Sequence, residues 1–294
     1  MYLILEKSCY RKLYMNRISE IKAHKINKDH STLIEIGDVH IGEGYFTVIA
    51  GPCALESEEL AITTAKAVEK AGAKIFRCSL FKPRTSPYSY QGYGIDGVSL
   101  LKTLHSETDL LLETEILSTD HLDALASEAD ILRIGSRNMD NYELLKAVGK
   151  VNKPVILKRN MSATLEEFLL AAEYILSVGN EKVILCERGI RTFENYTRNT
   201  LDILAVPALK ELTHLPVIVD PSHSTGKSSL VPAASKAALA AGADGLMIEV
   251  HPEPSKSFSD GDQSLNIPTF DKLMKDLGEM ANLLGKKSFL PVLS

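Results

Sequence analysis

The sequence predicts an (β/α)8 TIM barrel, an α/β fold, preceded by a short N-terminal hairpin and arm. Three observations carry that prediction. From about residue 47 onward, short β-branched runs alternate with stretches of helical periodicity, and there are eight such runs. Eight β-α units over roughly 240 residues suit this barrel in number and length. Lastly, cations recur at or just beyond the C-terminal ends of the runs, where parallel strands that close on themselves would bring them to one mouth.

Taken in order, residues 33–37 and 39–42 flank Gly37-Asp38 and predict a small hairpin. Residues 1–30 are rich in Lys, Arg and Ile without clear periodicity and read as a partly ordered arm, so residues 1–46 stand apart from a catalytic barrel over 47–294. The eight predicted strands are 47–52, 75–80, 110–116, 131–135, 155–159, 183–188, 217–221 and 245–251. Apolar residues at i, i+3, i+4 spacing predict helices over 56–71, 97–107, 165–177, 201–212 and 227–241. Ser57 and Thr164 are predicted N-caps, the latter opening a capping box, and Gly72, Gly149, Gly179 and Gly242 are predicted helix stops. A doubly wound open sheet is the alternative; it would normally carry GxGxxG after the first strand, where this chain has Gly51-Pro52-Cys53-Ala54.

Composition narrows the function classes. A chain of 294 residues with net charge −5, 45% hydrophobic and 24% charged, reads as a soluble enzyme with no general attraction for nucleic acid. No apolar run approaches the ~18 to 20 residues that span a bilayer, so no membrane partner is expected. A charge cuts off the apolar N-terminal stretch, which makes a poor signal peptide. Four cysteines without CxxC spacing point to a reducing, cytoplasmic setting.

In such a barrel, the side chains that act lie at the C-terminal strand ends and in the loops beyond them. That rule selects Cys53 after the first strand, then Arg77, Lys82 and Arg84 after the second. Glu115 ends the third strand, Arg137 follows the fourth, Lys158 ends the fifth and Arg188 the sixth. His223 follows the seventh, Glu249 ends the eighth and Asp260 lies in the final loop. Guanidinium and ammonium groups around a small mouth suit phosphate, which Arg grips through paired hydrogen bonds. Arg133, Arg159 and Arg191 are expected to join them. Cys53, His223, Glu249 and Asp260 make a mixed S, N and O set suited to a divalent transition metal. Each has an ordinary reading too: a small core thiol, a capping histidine, a paired buried carboxylate, a turn aspartate.

At these residues the chain resembles the 3-deoxy-D-arabino-heptulosonate 7-phosphate (DAHP) synthases of the type I beta subfamily. The strings that carry the likeness include Gly51-Pro52-Cys53, residues 82–92 (KPRTSPYSYQG), Ile134-Gly135-Ser136-Arg137-Asn138-Met139 and Leu157-Lys158-Arg159. Residues 186–193 and 197–202, Asp220-Pro221-Ser222-His223 and Glu249-Val250-His251-Pro252 continue it in the family's order, over roughly 33–285. The resemblance implies condensation of phosphoenolpyruvate with erythrose 4-phosphate, releasing phosphate, as the first step of the shikimate pathway. It implies a divalent metal (Mn, Fe, Co or Zn) on Cys53, His223, Glu249 and Asp260. Phosphoenolpyruvate would be held by Arg77, Lys82, Arg137, Lys158 and Arg188, the aldose phosphate by Arg84 with Thr85, and Ser136 would be a further substrate-binding residue. Lys158 is taken as a proton donor, Glu115, near the metal, as the group that positions water, and His223 as a member of the catalytic set.

Several expectations accompany the likeness. Cys78-Ser79 stand where the family usually has two glycines, Arg133 where glutamine is common and Asn160 where glycine follows; these side chains are expected to crowd the site or shift specificity. Cys78, beside Arg77, is expected to have thiolate character and sensitivity to oxidation. Family members are usually homo-oligomers, so a tetramer or dimer is expected. The 294 residues leave no room for an appended regulatory domain, and insensitivity to pathway end products is expected with it. The related 3-deoxy-octulosonate 8-phosphate synthases, which use arabinose 5-phosphate, are the alternative, and Pro83 argues against them because they typically carry asparagine there. An inactive barrel that binds a partner is the other; lost metal ligands would mark it, and all four are present.

Overall fold

The computed structural model describes residues 18–84 and 86–291. Strands β1 (Leu33–Ile36) and β2 (Val39–Gly42) form the predicted antiparallel hairpin, with Ile36 opposite Val39. Its two-residue turn places Gly37 at φ +56°, a left-handed conformation that glycine adopts without a Cβ clash. Eight parallel strands follow: β3 (Thr47–Gly51), β4 (Ile75–Arg77), β5 (Leu111–Glu115), β6 (Ile131–Ile134), β7 (Val155–Lys158), β8 (Val183–Glu187), β9 (Val217–Val219) and β10 (Gly245–Glu249). They close into a barrel, β10 pairing with both β3 and β9. The helices around them are α1 (Glu58–Lys70), α2 (Val98–Glu107), α3 (Leu122–Glu128), α4 (Tyr142–Gly149), α5 (Leu165–Ser177), α6 (Ala205–Leu212), α7 (Pro221–Thr225), α8 (Val231–Ala240) and α9 (Ile267–Leu283).

The caps follow the predicted chemistry. Ser57 Oγ accepts from Leu60 N at 3.2 Å, and Thr164 with Glu167 closes a reciprocal capping box. Two helices begin later than predicted, at Ala205 and Val231, for one reason. Pro207 and Pro232 lack an N–H and are tolerated only in a first turn, where that donor has no intrahelical partner. Gly149 is also corrected. It is the last helical residue rather than a left-handed stop, and a Cβ there would lie 2.5 Å from the Val178 side chain, so glycine serves the close packing of α4 on α5.

Strand alternation divides the interior into two cores. Ile49, Ile75, Ile131, Ile156, Ile184, Ile218 and Met247 point inside the barrel and meet Ile34, Val39 and Ile41 of the hairpin, which plugs the N-terminal end. A larger apolar cluster lies between barrel and helices. Two residues further along each strand, the inward positions become Arg77, Arg133, Lys158, Asp220 and Glu249, with Glu113 and Glu115 on β5. The apolar floor thus supports a layer of buried charges at the C-terminal end.

Residues from Ile18 onward are docked, not a loose arm. Ile18 and Ala23 are fully buried; Ala23 N donates to Glu173 on α5 at 3.0 Å and Lys25 N to Leu212 O on α6 at 3.0 Å. These partners are far away in sequence, so no local periodicity announces the contact. The rest of the predicted arm, residues 1–17, lies outside the described residues. Among the described residues, no helix is long and apolar enough to cross a membrane.

His214 fastens this segment: its Nε2 bonds Lys22 O at 2.9 Å, its Nδ1 faces Thr32 Oγ1 at 2.6 Å and its ring stacks on His30. Burial, with His30, lowers its pKa below the ordinary imidazole value. A histidine with a lowered folded pKa binds fewer protons folded than unfolded. Its stabilising contribution is therefore complete above the unfolded pKa of about 6.5 and is lost as pH falls through the folded value. Melting temperature should drop on acidification below about pH 6.5, and less steeply in His214→Gln. Identical slopes in thermal melts of the two proteins would overturn this.

Candidate active site

The charged layer opens into a cavity of about 70 Å³ lined by Lys82, Glu115, Arg133, Ser136, Arg137, Lys158, Arg188, Arg198 and His223. A wider outer cavity, about 280 Å³, continues from it and adds Arg84, Ser86, Ser89 and Asp260. The expected cations separate by strand alternation. Lys158 points inward, while Arg159, the next residue, turns to Glu187 and Asp202, each at 2.9 Å. Arg159 is thus a structural ion pair rather than a mouth residue, and Arg191 is exposed. Thr85 lies outside the described residues.

Two arginines are held ready without full partners. Arg188 is buried, its Nε and Nη1 have no partner among the described residues, and Nη2 reaches only His223 O at 3.5 Å. Burial lowers its pKa, the mark of a desolvated cation lacking a close counter-charge. Arg77 forms an ion pair with Glu249 at 3.2 Å through Nη2 but leaves Nε and Nη1 without a hydrogen-bond partner among the described residues. Buried unpaired donors are costly, so these groups favour an incoming anion.

Asp220, beyond the neighbouring strand β9, organises the wall beside Arg188. It caps α7, accepting from His223 N at 2.8 Å with Oδ1, and Pro221 starts the helix without wasting a donor. Its Oδ2 accepts from His223 Nδ1 at 2.7 Å and from Lys158 Nζ. Burial opposes its charge, yet His223 and Lys158 hold Asp220 well below the usual carboxylate range. Burial also pushes the His223 pKa down to about 4, leaving a neutral ring whose Nε2 points toward Glu249 at 3.3 Å.

Cys53, His223, Glu249 and Asp260 each offer a ligand atom, all within 4.8 Å of one another. Asp260 reaches this place with a left-handed backbone, φ +55°, at the start of a 3-10 turn. Glu249 is fixed by Gln263 Nε2 at 2.6 Å, and Lys82 Nζ stands 2.6 Å from both Cys53 Sγ and Asp260 Oδ2. Burial, then Glu249, pushes the Cys53 thiol up to about 12, so a cation binding there must displace its proton. One thiol, one neutral imidazole and two carboxylates, already drawn around an ammonium, fit a divalent transition metal.

A scan against family models matches residues 20–283 to the family described as DAHP synthetase I. The chain belongs to the DAHP synthetase I family. It is 52% identical over 256 residues to the phospho-2-dehydro-3-deoxyheptonate aldolase of Thermotoga maritima, covering 87% of this chain and 76% of that one. The crystal structure of that organism's DAHP synthase superposes with TM-score 0.87 at 49% identity, covering 91% of this chain and 80% of that one. A truncated form of the Thermotoga maritima synthase gives TM-score 0.82 at 48% identity, over 88% and 95%. More distant is the 2-dehydro-3-deoxyphosphooctonate aldolase of Syntrophotalea carbinolica, 30% identical over 83% of this chain and 94% of that one.

Three expectations, two of them about departures from the DAHP synthetase I pattern, change with the geometry. Asn160 does not crowd the cavity, because its side chain bonds Asp140 at 3.2 Å and Ser162 N at 3.0 Å. Cys78 alternates with Arg77 and packs into the outer apolar core, donating to Glu113 O; burial raises its pKa well above the ordinary thiol value, so it has no thiolate character. Glu115 stands apart from the four candidate ligands, engaged by Arg133. The residue that strand-end reasoning missed is Arg198, which lines both cavities and bonds Gln263 at 2.8 Å and Asp260 at 3.3 Å. It comes from the long segment after β8, and its only sequence signal was the family string at 197–202.

Proposed function

We propose that this enzyme condenses phosphoenolpyruvate with erythrose 4-phosphate to give DAHP and inorganic phosphate. The observation that carries the reading is the pairing of unsatisfied buried arginines with a four-donor cluster at one barrel mouth, in a DAHP synthetase I chain. Arg188, Lys158, Arg137 and Ser136 hold the carboxylate and phosphate of phosphoenolpyruvate in the inner cavity, to which Arg77, buried beside Glu249, adds positive charge, and Arg84 takes the aldose phosphate in the outer one, with Thr85 next to it in the chain. The enol carbon then bonds the aldehyde carbon, water adds to the former enol-phosphate carbon, and phosphate departs from that carbon to leave the ketone. Cys53, His223, Glu249 and Asp260 would hold a divalent metal, which would supply Lewis acidity to the aldehyde. Lys158, poised by Asp220, donates a proton, and the ring of cations stabilises charge on the substrates.

The test is phosphate release from phosphoenolpyruvate with erythrose 4-phosphate or with arabinose 5-phosphate. Turnover with the four-carbon sugar, lost on chelation and partly restored by Mn, Fe, Co or Zn, is expected. Preference for arabinose 5-phosphate would transfer the chain to the octulosonate activity, and full turnover in metal-free protein would remove the metal from the reading. A homo-oligomer, tetramer or dimer, is expected in sedimentation at micromolar concentration.

A further inference from the structure

Two of the sequence departures touch each other. Arg133 is 3% exposed, and each of its three guanidinium nitrogens has a different partner. Nε donates to Glu113 Oε1 at 2.6 Å, Nη1 to Glu115 Oε2 at 2.8 Å and Nη2 to Ser79 Oγ. The partners come from adjoining segments of the wall: Glu113 and Glu115 from β5, where Glu115 lies directly opposite Arg133, and Ser79 from the segment beyond β4. A glycine at 79 would offer no side-chain acceptor, so serine there completes the fork.

The clamp holds one oxygen of a carboxylate whose other oxygen lies against Gly135. A Cβ on Gly135 would lie 2.0 Å from Glu115 Oε1, so the absence of a side chain at 135 makes room for that oxygen at the cavity wall. Glu115 is the one carboxylate lining the inner cavity among the described residues. Beside a bound dianion a carboxylate is repulsive unless it accepts a hydrogen bond from a proton-bearing group, and the water that adds during the reaction is such a group.

We propose that Arg133, with Ser79, is a positioning residue that fixes Glu115 as an anion with one oxygen at the cavity wall, where it orients the attacking water. The proposal rests on the condensation reading above. Charge agrees with the geometry. Burial works against ionisation of Glu115, but Arg133 on β6, Lys158 on β7, Lys82 in the loop beyond β4 and Arg77 on β4 outweigh it and lower its pKa. Glu113, on its own strand, is the opposing charge, and Arg133 is bonded to it as well.

Arg133→Gln is expected to lower kcat by about 10²-fold, the scale of a small misplacement of a reacting group, with little change in KM for phosphoenolpyruvate. With its nearest cation gone, Glu115 moves up in pKa, and the variant should lose rate on the acid side of a profile that is flat there in the parent. Arg133→Lys should recover part of the rate. Parental kcat and pH profile in Arg133→Gln, or a lower melting temperature with unchanged kinetics, would show a merely structural residue. If Arg133→Gln does not fold, Arg133→Gln combined with Glu113→Gln removes one buried charge of each sign, and the same kinetic signature is expected. Failure of the reaction itself is read separately, from phosphate release by the parent. The Glu115 carboxyl carbon, followed by NMR in 13C-labelled parent and variant, needs no turnover: titration through the acidic and neutral range in the variant alone supports the clamp, and equal behaviour overturns it.

Discussion

Replacing Arg188 by methionine is expected to stabilise the empty protein while removing most of its affinity for phosphoenolpyruvate. The two effects share one cause. Arg188 is buried with Nε and Nη1 unpaired and only a 3.5 Å contact from Nη2 to His223 O. A desolvated cation with so few partners is unfavourable in the folded state, and replacing such buried ions by apolar side chains is often stabilising by about 1 kcal/mol or more. A bound phosphate or carboxylate supplies the missing acceptors. Two charge-assisted hydrogen bonds at about 2 kcal/mol each correspond to about 10³-fold in affinity. Calorimetric titration of phosphoenolpyruvate and thermal melts with and without it measure both sides. The parent should melt higher with the ligand, and Arg188→Met should melt higher without it and gain little on its addition. A destabilised variant that still binds phosphoenolpyruvate normally would sink the assignment.

Asp220→Asn should damage the adjoining strand end from a single buried atom. Asp220 Oδ2 receives both Lys158 Nζ and His223 Nδ1, so the amide cannot accept from both and also match their charge. The carboxylate dictates which ring nitrogen carries the proton and leaves Nε2 free to face the ligand cluster. Loss of such an outer partner costs about 10- to 100-fold in metal affinity. Turnover should fall by at least as much, since Lys158 loses its anchor too. Breaking a buried charge pair also lowers stability by about 3 to 5 kcal/mol. Metal affinity measured by competition with a chelating dye separates this from a general loss of activity; unchanged affinity in a folded variant would refute it.

Much of this site was legible because a barrel converts sequence order into spatial order. The rule of strand ends singled out Cys53, His223, Glu249 and Asp260, whose ligand atoms lie within 4.8 Å. Failures came where that conversion stops. Arg198 lies far from any strand end, in a segment whose path is set by its own contacts to Thr225 and Gln263. The expected thiolate at Cys78 overlooked the alternation that sends it into the apolar core opposite Arg77. The docked segment from Ile18 had no periodicity because its partners are α5 and α6, 150 and 185 residues further along the chain.

The sequence by itself determined the number of strands, the hairpin ahead of them, the capping of the helices and most of the residues delivered to the barrel mouth. Those depend on periodicity and short-range chemistry, which act between neighbours in the chain. Only the tertiary structure decided which charges neutralise one another and which are left for a ligand. Arg133 and Arg188 are the same residue type lining one cavity, yet Arg133 has three partners and Arg188 almost none. That difference arises from side chains brought together across several strands and from the water excluded around them, and a buried charge takes its energy from those surroundings.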